Sequence, residues 1–159
     1  MSSSYTKTRI MVECALMIAL GTILANIKIY ELPNGGSITL FSMVPFILVS
    51  FRHGVKWGLF TGFVNSLLQM LLGFYAPPAP GLLPLVGMIL LDYVLAFGVM
   101  GIAGLGRGKP HGIFWGSVLG GAARFVVHYI SGITIYKILA PTEIFGTVFD
   151  NPALYSLIY

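Results

Sequence analysis

Long apolar runs alternate with short polar turns along nearly the whole chain. The runs cover about residues 10–27, 36–51, 55–72, 85–105 and 113–139, and another apolar helix opens at Pro152. At about 20 residues per bilayer crossing, this pattern predicts an all-α polytopic membrane helix bundle. It has five spans plus the start of a sixth, in one membrane domain over residues 1–159. The segment Lys28 to Ser37 (KIYELPNGGS) predicts a loop, because Pro-Asn-Gly-Gly is strong turn chemistry. The run 36–51 is short for a crossing and contains Pro45. It is expected to begin near Gly36 or to kink, the freed backbone groups being satisfied inside the bundle. Residues 140–151 predict a second loop, and proline suits the first position of the helix that follows.

The polar turns set the orientation. Lys7 and Arg9, Arg52 and Lys56, and Arg107 and Lys109 fall in the amino-terminal tail and in alternate turns, whereas Glu31, Glu143 and Asp150 fall in the others. The basic side is cytoplasmic, so the amino terminus lies inside and the acidic loops face out. Lys7 and Arg9 before an apolar run also mimic a signal peptide. Glu13 interrupts that run and no small-x-small cleavage site follows, so the segment reads as a retained first helix.

Composition agrees. The chain is 57% hydrophobic and only 9% charged, with mean hydropathy +0.89, where a soluble domain carries roughly a quarter charged residues. The net charge of +4 is dispersed over segment ends and is explained by topology, not by nucleic-acid binding. The single Cys14 excludes an internal disulfide. There is no phosphate-binding glycine loop of the Walker type, so ATP use would belong to another chain. No His/Cys/Asp spacing suggests a metal, and no cofactor is implied. One deep carboxylate argues against a two-carboxylate hydrolase, so a catalytic role is not expected.

Chemistry concentrates between Leu90 and Tyr136, where Asp92, Arg124 and His128 lie inside apolar runs. Ionisable groups in hydrocarbon are costly and by default face a protein interior and mark a site. Arg124 and His128 are four residues apart and share a helix face. Asp92 lies about 7 to 10 residues below the outer end of its span, roughly 10–15 Å at 1.5 Å per residue. His128 is at similar depth and Arg124 one turn lower, so the group is reachable from outside. Tyr93, Tyr129 and Tyr136 are near. One carboxylate, one imidazole and several aromatic rings suit a pocket for a small flat cation. Asp92 has two readings: a buried ion pair with Arg124, or a free carboxylate that attracts a cationic ligand.

Other features also read two ways. Asn65, inside the third run, is either helix–helix glue or a ligand contact. Ala15 and Ala19, like Gly21 and Ala25, let another helix approach closely, either a neighbouring span or a partner subunit. The uncharged, proline-rich segment Phe74 to Pro84, with Tyr75, is stiff and either caps a pocket mouth or merely connects two helices. Tyr136 and Tyr155 could be ordinary interface-belt residues.

In order and interval, PNGGSITLFSMVPFILVSFRHGVKWGLFTG, LLDYVLAFGVMGIAGL, RFVVHYISGITIY and PALYSLIY resemble the thiamine-specific S component of energy-coupling factor transporters. The resemblance spans nearly the whole chain from Glu13 onward. It implies a six-helix membrane protein that binds thiamine from outside without catalysis. Delivery would follow docking onto a transmembrane coupling subunit and two cytosolic ATPases. It further implies ligand-binding roles for Asp92, Tyr93, His128, Tyr136 and Tyr155, and a docking role for Ala15 and Ala19. Some members carry tryptophan and glutamate where this chain has Gly36 and Leu40, and tryptophan where it has Asn65. Family chains continue past the position of Tyr159 with an asparagine and the rest of helix six. The expectation is a truncated sixth helix, from either a truncated product or an incomplete chain, with the groove open on one side. Two other functions fit the residues: an S component for another flat vitamin, such as riboflavin or a thiamine precursor, and a structural membrane protein with a buried Asp92–Arg124 pair.

Overall fold

The structure is a computed structural model that describes residues 3–31, 37–39, 41–75, 81–135, 142–144 and 146–158. It is a bundle of six helices with two small hairpins. In chain order these are α1 (Ser3–Asn26), β1 (Lys28–Glu31), β2 (Ser37–Thr39), α2 (Val44–His53) and α3 (Val55–Gly73). There follow α4 (Leu82–Gly106), α5 (Gly112–Thr134), β3 (Thr142–Ile144), β4 (Thr147–Phe149) and α6 (Pro152–Ile158).

Three helices, α1 from Thr6, α4 and α5, are long and apolar enough to cross a membrane. α3 has 19 residues but turns Thr61, Asn65 and Ser66 into the interior, and these lower its hydropathy. Leu71 and Leu83 are 82% and 85% exposed, which the bilayer explains, since an apolar side chain costs nothing in contact with hydrocarbon.

The second run departs from expectation. Instead of a helix over 36–51, residues 37–39 form β2 and only Val44–His53 is helical. Ten residues rise about 15 Å, half a bilayer. Pro45 sits in the first turn of α2, where its missing N–H breaks no helical bond. It marks the helix start and does not kink a longer span. Phe41, at φ 52°, reverses the chain just before. The expected loops also contain strands: β1 pairs antiparallel with β2, and β3 with β4.

α4 is the central element and changes pitch along its length. It is α-helical over Leu82–Met88, a π-helix over Ile89–Leu95, briefly α again, and a 3-10 helix over Val99–Gly106. Its 3-10 half packs against α2, α3 and α5 through glycines that leave no room for a Cβ. One at Gly62 would strike the Phe97 carbonyl, and one at Gly112 the Gly106 carbonyl. Close backbone contact of this kind drives helix association where lipid removes the hydrophobic effect between helices. Ile18, Phe46 and Met100 form a small buried core beside these contacts. α1 lies chiefly on α2 and α3. It buries Cys14 and Ile18 while leaving Val12, Leu16 and Ile23 outward. Glu13, on α1, meets Arg52 at 2.9 Å and His53 at 3.0 Å, tying α1 to the end of α2.

Candidate functional site

The wide part of α4 faces a cavity of about 660 Å³ in the predicted outer half of the bundle. Its walls are the end of α1, the β1–β2 hairpin, the end of α3, α4, α5 and α6. On α5 the lining positions Gly121, Arg124, Phe125, His128 and Gly132 repeat at three- and four-residue steps, one face of a helix.

Asp92 and Tyr93 are consecutive yet both line this cavity, although successive residues on an α-helix diverge by about 100°. The π-helical turn that contains them is wider, which narrows that divergence. Such turns recur at functional sites.

The Asp92 carboxylate, 15% exposed, is held from α5 by two groups. His128 Nδ1 lies 3.0 Å from Oδ1, and the Ser131 hydroxyl donates to Oδ2 at 2.7 Å. With the proton on Nδ1, the neutral imidazole donates to the carboxylate and leaves Nε2 as an acceptor. Tyr93 is fixed by the end of α3: its hydroxyl accepts from the Tyr75 N–H at 3.1 Å and donates to the Gly73 carbonyl at 3.3 Å. Its ring stacks on Phe74 at 6.0 Å. Tyr75 and Tyr155 also line the cavity, Tyr155 being buried.

Of the two readings of Asp92, the structure forms no ion pair with Arg124 among the described residues. The ionisable group in hydrogen-bond contact with Asp92 is His128. Arg124 instead donates to the Ala96 carbonyl at 3.0 Å, its guanidinium 4.5 Å from the centre of the Phe97 ring. Ala96 lies where α4 passes from wide to narrow pitch, the kind of irregularity at which a side chain enters the backbone ladder.

Asn65 is likewise displaced from its expected ligand role. It is fully buried and not a cavity-lining residue, and its Oδ1 accepts from Thr22 on α1 at 3.5 Å. Gln69, one turn on, does line the cavity. Tyr129 stacks on Phe125 outside the lining. Tyr136, Gly36 and Leu40 lie outside the described residues. Ala15 and Ala19 are exposed on α1. Ser131, Gln69 and Asn26 are polar groups of the site that the sequence reading passed over. Helical arithmetic reaches two of them: Ser131 is three residues beyond His128, and Gln69 four beyond Asn65. No group of three or more His, Cys, Asp or Glu suited to a metal occurs among the described residues.

Comparison with known proteins bears on the family and the fold. The family described as Thiamine transporter protein (Thia_YuaJ) matches residues 11–159. The thiamine transporter ThiT of Bacillus subtilis (strain 168) is 34% identical over 150 residues, covering 82% of this chain and 72% of that one. The solved structure of ThiT from Listeria monocytogenes superposes with a TM-score of 0.71 at 23% identity, covering 96% of this chain and 83% of its own. Matched by the family from Met11 onward and 34% identical to a curated member, this multi-pass helical membrane protein belongs to the thiamine transporter protein family.

Proposed function

We propose that this chain is the substrate-binding subunit of a thiamine uptake system, taking thiamine from outside into the cavity beside Asp92. Thiamine is a permanent cation with two flat rings, so it needs a negative partner, aromatic walls and a few hydrogen-bonding groups. The observation that carries the reading is the Asp92 carboxylate. It is oriented from α5 by His128 and Ser131, while the nearest guanidinium is engaged elsewhere. In a site shielded from water such a charge attracts a cation strongly, and the faces of Tyr93, Tyr75 and Tyr155 add cation–π attraction. Tyr136 joins them by family resemblance.

Delivery uses a transmembrane coupling subunit and two cytosolic ATPases, docking on the α1 face that carries Ala15 and Ala19. The exposure of both alanines supports this assignment.

Titration of the purified chain with thiamine, beside Asp92→Asn, is the test. Losing a buried charge–charge contact costs about 2–5 kcal/mol, so the variant should bind at least tenfold more weakly. Equal affinity of the two would remove Asp92 from the site. Competition with riboflavin distinguishes a site for another flat vitamin, because a neutral ligand should be indifferent to Asp92→Asn.

A further inference from the structure

We propose that Ser131 is a specificity-determining positioning residue, whose hydroxyl keeps Asp92 turned toward the ligand and away from Arg124. The inference rests on the reading that the cavity takes a cation.

Ser131 is 1% exposed and its hydroxyl donates at 2.7 Å to Asp92 Oδ2, the oxygen that His128 does not hold. A serine in a helix has its own carbonyls four residues back within reach, and Ser117 and Thr134 of α5 use those. Ser131 spends its proton on α4 instead. The competing partner is close. Arg124 is bonded to Ala96, four residues from Asp92 on the same helix. A carboxylate released by His128 and Ser131 has that guanidinium bonded four residues along α4. Once that pair closes, the charge that selects a cation is cancelled.

Two oxygens held by two donors, three residues apart on α5, define the carboxylate plane. A single donor at Oδ1 leaves the group free to pivot. His128 alone, 38% exposed, therefore does not suffice. The two bonds also leave each carboxylate oxygen a further lone pair for a ligand.

The experiment titrates the full chain in lipid nanodiscs with thiamine and with an uncharged analogue whose thiazolium is replaced by a neutral ring. The variants are Ser131→Ala, Arg124→Gln and the two combined. Ser131→Ala should weaken thiamine about tenfold, as for loss of a hydrogen bond to a charged group, and leave the neutral analogue within about threefold. Arg124→Gln in the same chain should restore most of the thiamine affinity, since the guanidinium can no longer pair with Asp92. That recovery separates positioning from packing, because a merely structural serine would not be rescued by a change on another side chain. Wild-type affinity in Ser131→Ala, or a double variant no better than the single one, overturns the proposal. Failure of the unmodified chain to bind thiamine at all would instead reject the functional reading beneath it.

Discussion

Arg124 donates to the Ala96 carbonyl at 3.0 Å and lies over the Phe97 ring, leaving Asp92, four residues away on α4, to His128 and Ser131. The basic side chain is therefore a brace for α4 at its change of pitch. It supplies a charged hydrogen bond of about 1.5–3 kcal/mol and a cation–π contact of about 0.5–2 kcal/mol. Arg124→Ala should destabilise the chain by about 2 kcal/mol. Thermal unfolding in detergent, followed by helix signal, reads this directly; an unchanged midpoint would mean that the brace carries no load.

Asn65 supports a second prediction. Its Oδ1 has only a long contact from Thr22, and its buried Nδ2 has no hydrogen-bond partner among the described residues. A buried amide nitrogen without a partner costs about 1–3 kcal/mol, and an apolar side chain of similar size removes that cost while giving up only the 3.5 Å contact with Thr22. Asn65→Leu should therefore keep or raise the unfolding temperature and change thiamine affinity by less than about twofold. A large loss of affinity with the fold intact would return Asn65 to the ligand site.

The outward face of α1 gives a third. Ala15 and Ala19 are exposed, while α1 is anchored on its other face by Cys14, Ile18 and the Glu13 contacts to Arg52 and His53. Bulky side chains there should not disturb the bundle. Ala15→Phe with Ala19→Phe should leave thiamine binding within about twofold and abolish ATP-driven uptake in cells that supply the coupling subunit and ATPases. Uptake at the unmodified rate would move docking to another face.

Much of this arrangement was legible in the order of residues. Alternating apolar runs and polar turns predicted a membrane bundle, because hydrocarbon tolerates few charges. The spacing of Arg124 and His128 put both on one face of α5, and Asp92 stood out as a carboxylate in an apolar run. The short second helix was not legible. Residues 36–51 are apolar enough to read as a span, and only the pairing of β2 with β1 ends that possibility.

The sequence by itself determined which groups must be hidden and which helix faces carry them, since burial costs and helical periodicity act locally along the chain. Partner choice was decided by the tertiary structure. Asp92 meets His128 and Ser131, and not Arg124, because the π-helical turn of α4 and its glycine-packed 3-10 half set its register against α5. That register is a property of two helices packed together, and neither one encodes it alone.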